Sequence, residues 1–477
     1  MRRSYLIILI IAAATIACLI PPGVARRSKN ELLFTVWGMP FEDNLFRDGY
    51  ARDFEAQNPG VTVQYETYPD VTKKYFVWHL RGFGADVMRL PITDYHAMVS
   101  IGALEPLDRF INDPEIGMTV ADQADFMPSL WDALEIGGKR YAIPSDNAQY
   151  GLYYNKTIFD QYNTEHPDDP LAYPDASWTW EDLKKAGEKL TIEDEDGEIV
   201  QYGVDFDLWA WPFMAFLAQA GGELWDEDQT TTLINSPEGL EALQFVVDLL
   251  PHAGPLRSAD LKDSATGPDK FFVTGQTAIL LDGSWRAPFL ELINPDLDFA
   301  VAPLPHHRER AVVSGSVLWA ISTHSHNKHL AWKMVKFITN FEQSLRYWDA
   351  LRVAPPSRLS VVRDEAFRST RGIIDERGVV RSPAMPRDRW EDRGQWLLYA
   401  TTPDPATGRM PGFVPVTPYQ KDLEDKIKTM LGRAVSPDRK QPLEDLLDST
   451  AAELHRIIDR DRLARGEPAV RREEGKR

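Results

Sequence analysis

The chain has 477 residues, 43% apolar and 26% charged, which excludes extended disorder and, at roughly 150 residues per domain, suggests two or three domains. A formal charge of -19, from 72 acids against 53 Lys and Arg, disfavours nucleic acid and anionic membrane surfaces as partners. Its single cysteine, Cys18, leaves no intramolecular disulfide and no cysteine-based metal site.

The first segment is basic at Met1-Arg2-Arg3, apolar from Tyr5 to Ile20 apart from Thr15, and broken by Pro21-Pro22-Gly23. That pattern predicts a secretory signal peptide over 1–25, with Gly23-Val24-Ala25 as the cleavage site. A second reading ends the signal at Ala17 and makes Cys18 a lipidated first residue. The apolar stretch falls short of the roughly 20 residues that span a bilayer, so an uncleaved anchor fits less well. The expected product is exported and free, or held to a membrane only by its N-terminus.

From Glu31 the pattern alternates β and α. Leu32 to Trp37 reads as a buried strand, Leu45, Phe46, Tyr50 and Phe54 recur at helical spacing, and Val61, Val63 and Tyr65 alternate as a second strand. Gly84 to Met88 predicts a third strand and His96 to Gly102 a helix. Gln149 to Tyr154 predicts a strand. Thr179 with Asp182 predicts a capping box, with Trp178 stapled onto Leu183. Ser236-Pro237 opens a helix bearing Leu240, Leu243, Val247 and Leu250 on one side. Thr277 to Leu281 predicts a strand that turns out through Asp282-Gly283-Ser284-Trp285. Lys328 to Phe341 predicts a helix with Leu330, Met334 and Phe337 inward. Residues 352–420 show no clear period apart from a short helix around Trp390 to Tyr399. Leu443, Leu446, Leu447, Leu454, Ile457 and Ile458 stripe a final helix before a charged tail. Strands alternating with helices imply α/β architecture with mainly parallel sheets.

Several short pieces then occur in one order: Phe54-Glu55-Ala56-Gln57-Asn58-Pro59-Gly60, Gly102-Ala103-Leu104-Glu105-Pro106-Leu107, Tyr141-Ala142-Ile143-Pro144, Leu152-Tyr153-Tyr154-Asn155-Lys156, Trp178-Thr179-Trp180, Ala220-Gly221-Gly222 and Gly283-Ser284-Trp285. With these the chain resembles the extracellular solute-binding proteins of bacterial ABC importers, family 1, the group of maltose- and oligosaccharide-binding proteins. The resemblance spans roughly 31–350. It implies a two-lobed, type II periplasmic-binding-protein fold with a hinge and an interlobe cleft. The expected lobes are 26–145 with 316–360, and 146–315 with 361–465, followed by a charged tail over 466–477. Crossings are expected near Pro144-Ser145, near Ser314-Gly315-Ser316, and within 355–370. Ligand sites in open α/β sheets lie at the carboxyl ends of strands, which two facing lobes turn into one cleft.

Candidate ligand contacts follow. Trp37 and Trp285 leave strand ends beside Gly38 and Gly283, and an indole face suits the apolar C–H face of a pyranose. Glu42, Asp43 and Asp146 lie where carboxylates would accept ring hydroxyls, though an acid in such a loop is more often simply solvated. Ser316 lies in the return crossing. The resemblance adds Trp209 and Trp211 from the second lobe and Tyr419 as a late aromatic closing the cleft. No basic cluster marks an anion site, with Arg89 the exception to watch. His324, His326 and His329, with His306-His307, have metal-like spacing but sit at a helix entry where polar residues act as caps. The acidic turn Glu193 to Glu198 lacks the spacing of a calcium loop, and no phosphate-binding glycine loop occurs. No cofactor is expected, and the permease and ATPase would be separate chains. The expected role is a non-enzymatic sugar receptor. The alternatives are a secreted glycoside hydrolase, which needs paired carboxylates about 5–10 Å apart, and a receptor for a polyamine, metal or phosphate ester.

Overall fold

In the computed structural model, which describes residues 28–38, 42–249, 251, 269–368, 373–374, 380–382, 390–470 and 472, the β/α alternation produces two large sheets, beside two small two-stranded pairs. The signal segment, Cys18, Leu250 and the last residues of the tail lie outside the described residues.

The first lobe is built on β1 (Glu31–Val36), β2 (Thr62–Thr67), β3 (Val87–Pro91) and β4 (Ala142–Pro144). Strand β1 is apolar at successive positions because both its faces are covered. Leu32, Phe34 and Val36 enter one core and Leu33 the other. The third strand starts later than expected, at Val87. Just before it, the Asp86 carboxylate accepts the Leu33 N–H at 2.8 Å and the Ser325 hydroxyl at 2.6 Å, so a side chain ties this stretch to β1.

The second lobe follows with β5 (Ala148–Asn155), β6 (Ile199–Phe206), β7 (Thr277–Gly283), β8 (Phe299–Pro303) and β9 (Val312–Gly315), and the chain returns through β10 (Val317–Ala320). The first sheet runs β2-β1-β3-β10-β4. In the second, β5 lies between β7, backed by β6, and the pair β8 and β9. Both sheets are mixed. The parallel pairs implied by the alternation are β1 with β2, β1 with β3, and β7 with β6. The antiparallel partners come from the crossings. Strand β5 leaves the hinge outward against β7, and β10, arriving from the second lobe, runs against β3 and β4.

Helices cover both sheets. Helix α1 (Ile92–Ser100) starts directly after β3, a turn before the expected His96. Helix α2 (Trp180–Leu190) carries the capping box of Thr179 and Asp182. Helix α3 (Ala210–Gln219) is apolar almost all round and is accordingly buried. On α4 (Pro237–Leu249) the buried stripe is Leu243, Val246 and Leu249, with Leu240 and Val247 half-buried. The helix expected over Lys328 to Phe341 is α5 (Lys328–Ile338), and a second helix, α6 (Phe341–Leu351), begins where that expectation ends. Asn340 divides them, its side chain capping α6 through the Gln343 N–H at 2.8 Å. Leu330 and Phe337 are half-buried, while Trp332, Met334 and Val335 fill the core. Helices α7 (Gln420–Ala434) and α8 (Leu443–Ala464) close the second-lobe core. In the tail the Val470 N–H donates to the Asp459 carboxylate at 3.1 Å and the Arg472 guanidinium meets the same group at 2.8 Å.

Where the lobes meet, three passages of chain lie side by side. The Asp146 carboxylate accepts the Val317 N–H at 2.8 Å, the Asn147 N–H donates to the Pro355 carbonyl at 2.7 Å, and the Ser357 N–H to that of Ser145 at 3.1 Å.

Candidate functional site

Strands β1 and β3 of the first lobe and β6 and β7 of the second end near this seam: β3 pairs with β10 through Pro91 and Val317, and β7 reaches β5 at Gly283 and Tyr150. On the second-lobe side stand four rings. Trp209 and Trp211 stack with centroids 4.9 Å apart and planes at 13°, and Trp285 stands edge-on, 6.1 Å from each. Tyr150, at the start of β5, lies 5.8 Å from Trp285 and 6.0 Å from Trp211. Tyr150 and Trp211 are 2% and 4% exposed, whereas Trp209 and Trp285 are half-buried, so the available ring surface belongs to the latter pair.

Two glycines make this packing possible. A Cβ on Gly283 would lie 2.2 Å from the Trp285 ring, so only glycine lets that indole fold back over the strand end. A Cβ on Gly315 would lie 2.5 Å from Cη2 of Trp211 and 3.3 Å from Cγ2 of Ile92. The Trp211 ring therefore touches the return crossing beside the first residue of α1. Its N–H donates to Glu424 of α7 at 3.2 Å.

On the first-lobe side the predicted polar contacts bond to one another. Arg89 pairs with Glu42 at 3.0 Å, and these side chains are 4% and 8% exposed. Its guanidinium donates to the Trp37 carbonyl at 2.6 Å, lies 4.6 Å from the Trp37 ring centroid and donates to the Tyr347 hydroxyl at 3.3 Å. That hydroxyl donates to Asp146 at 2.9 Å. Burial raises the Asp146 carboxyl to about 6, against the pull of its Val317 and Tyr347 hydrogen bonds and of Arg89. Arg89, with Glu42 on it and Asp146 close by, is a neutralised structural cation rather than an open anion site.

The seam thus gathers Trp209, Trp211 and Trp285 in one cluster and Trp37, Glu42, Arg89 and Asp146 in another. The Ser316 hydroxyl donates to the Val317 carbonyl at 2.8 Å within the crossing. Asp43, next to Glu42, accepts the Tyr65 hydroxyl at 2.6 Å within the first lobe. Tyr419 lies elsewhere: its hydroxyl donates to Asp461 of α8 at 3.0 Å and its ring lies 6.4 Å from Trp225. The histidines do not converge. His324 meets His79 at 3.2 Å, His329 stands edge-on to Phe110, and His307 meets Glu241 at 3.0 Å. Tyr150, Tyr347 and Glu424 join the site without any sequence signal beyond residue type.

Beside the seam, two hollows share Gln229, Val414 and Val416. One of about 450 Å³ is lined by Leu217, Trp225, Arg310 and Phe413. The other, about 460 Å³, lies between His96, Asp132 and Glu135 of the first lobe and this shared edge. No helix among the described residues is long and apolar enough to cross a membrane.

The pattern of the bacterial extracellular solute-binding proteins matches residues 42–343. The maltotriose-binding protein of Pyrococcus abyssi is 27% identical over 316 residues, 63% of this chain and 60% of that protein. The mannitol-binding protein of Pseudomonas aeruginosa is 25% identical over 290 residues, 58% of this chain and 60% of the relative. The chain thus spans about three fifths of the length of either relative. Among solved structures, an ABC substrate-binding protein of Listeria monocytogenes in complex with cycloalternan superposes with a TM-score of 0.72 at 22% identity, covering 90% of this chain and 99% of that one. The GacH receptor of Streptomyces glaucescens, solved unliganded and with acarbose, gives 0.70 at 18% identity, covering 90% and 98%. Both likenesses show the shared two-lobed fold.

Proposed function

This chain belongs to the bacterial extracellular solute-binding protein family, and from that premise we propose that it is an exported receptor which takes a carbohydrate between its lobes and delivers it to an ABC importer. The permease and ATPase are separate chains. The N-terminal segment directs export, and Cys18, where retained, tethers the protein by a lipid.

One observation carries the sugar reading. Two half-buried indoles, Trp209 and Trp285, are held at the ends of β6 and β7 by the buried rings of Trp211 and Tyr150, beside the crossings. An indole face covers the apolar side of a pyranose, and rings fixed by packing lose little freedom when the ligand arrives. The names of the relatives, which bind maltotriose and mannitol, support the same class. A phosphate ester fits poorly, because Arg89 is already committed to Glu42. The lobes pivot about the three adjacent passages and clamp the sugar against the rings.

A thermal-shift screen against mono- and oligosaccharides tests the proposal, since a ligand at a hundred times its Kd adds about 2.7 kcal/mol of stability. Saturable binding with intact sugar recovered supports the receptor. Released monosaccharide would instead support a hydrolase, and no shift with any sugar would refute the ligand class.

A further inference from the structure

Glu424 is a buried carboxylate that the receptor reading leaves without a role. It lies one turn into α7 and is 5% exposed. A single oxygen, Oε1, accepts two hydrogen bonds: the Trp211 indole N–H at 3.2 Å and the Gln420 amide N–H at 2.8 Å. Gln420 is itself 2% exposed. That oxygen therefore ties the Trp211 indole to the start of α7. What it orients matters, because Trp211 lies face to face with Trp209 and edge-on to Trp285, the two rings with available surface. The Cη2 end of the Trp211 ring meets Gly315 of the return crossing, beside Ile92. Helix α7 also packs on α1 of the first lobe, so Glu424 stands on an element that both lobes touch.

We propose that Glu424 is a positioning residue for the stacking platform: by accepting the Trp211 N–H it fixes the tilt of that indole, and through it the ring of Trp209 that receives the sugar. The inference rests on the receptor reading, but its first readout needs no ligand. A stacked indole pair gives an exciton couplet in circular dichroism whose size depends on the mutual angle of the rings. In the ligand-free full-length protein, E424A leaves the N–H without its acceptor and should at least halve the couplet. E424Q keeps a carbonyl oxygen in place and should preserve it.

Sugar affinity, measured by calorimetry on the same proteins, should fall about tenfold in E424A, equivalent to ~1.4 kcal/mol, and stay within about threefold of wild type in E424Q. In a W211F background, which has no N–H to hold, E424A should cost no further affinity. A merely structural role predicts otherwise: melting temperature falls while couplet and affinity of the folded protein stay unchanged, and that result would overturn the proposal. So would an affinity loss of equal size in the W211F background. If E424A does not fold, E424L, which fills the space without an acceptor, takes its place: a couplet at least halved would support the role, and an unchanged one would refute it. A wild type that binds no sugar while the couplet obeys Glu424 would sink the sugar reading and leave the positioning role standing.

Discussion

Asp146 provides the sharpest test of the seam, through Asp146→Asn. The native carboxyl holds its proton to about 6 because it is buried, whereas the ordinary value is 3.8. Between those values the folded protein binds more protons than the unfolded chain. Stability contributed at this position therefore falls as pH rises from about 4 and levels off above 6. Because pH 4 already lies at the lower value, about 1.8 units of the difference are realised between pH 4 and pH 7.5, and at 1.36 kcal/mol per unit the wild type is about 2 kcal/mol less stable at pH 7.5 on this account alone. Asparagine has the same shape and does not titrate. Its oxygen takes the place of Oδ1 for the Val317 N–H, and its amide can face the Tyr347 hydroxyl, which is able to accept. Urea denaturation of both proteins at half-unit steps from pH 4 to 8 isolates the effect, since the other carboxylates cancel in the difference. Asn should gain on Asp as pH rises, with the change complete near pH 7. A difference curve that is flat, or that slopes the other way, would show that Asp146 is ionised and paired throughout and would refute the argument.

Three further outcomes follow from the same geometry. Trp285→Ala should cost about 1–3 kcal/mol of sugar affinity with little change in melting, whereas Trp211→Ala, removing a buried ring, should cost about 3–5 kcal/mol of stability; calorimetry with and without ligand separates the two, and equal melting losses would place both rings in the core. Thr179→Ala removes the capping box of α2, far from the seam, and should lower stability by about 1 kcal/mol in denaturant titrations while leaving affinity unchanged. Small-angle scattering at saturating sugar should show a smaller radius of gyration than the free protein, and an unchanged radius would mean a rigid groove in place of hinge closure.

Local chemistry is legible in the sequence where it acts over a few residues. The capping box at Thr179 and Asp182, and the glycine that frees Trp285, need only neighbours in the chain, and both are present as read. Helix α7 has a readable stripe in Leu423, Ile427, Met430 and Ala434, but the proline-rich approach from Pro411 to Pro418 hides its start. What the sequence does not reveal is mutual pairing. Glu42, Arg89 and Asp146 are each identifiable as seam residues, yet nothing in the chain says that they satisfy one another instead of a ligand. Tyr347 lies beyond the helix expected over Lys328 to Phe341, on α6, whose Asn340 cap reads in the sequence as one more polar residue. Tyr419 was drawn to the cleft by resemblance, and its hydroxyl goes to Asp461, a partner set only by how α7 and α8 pack.

The position of β10 has a consequence for how the protein is made. In the first sheet β10 lies between β3 and β4, and its Trp319 is the buried ring that packs on Phe34 at 5.6 Å and Phe46 at 5.8 Å. A nascent chain that has already produced β1 to β4 still lacks this strand, and β4 has no neighbour in the sheet until β10 is synthesised after every one of β5 to β9. The first lobe therefore cannot complete its core during most of translation, and contacts of such long sequence separation close slowly. A first lobe that completes its core only once Ala320 of 477 residues has been made keeps the nascent chain threadable for longer, which is what the export proposed above would require.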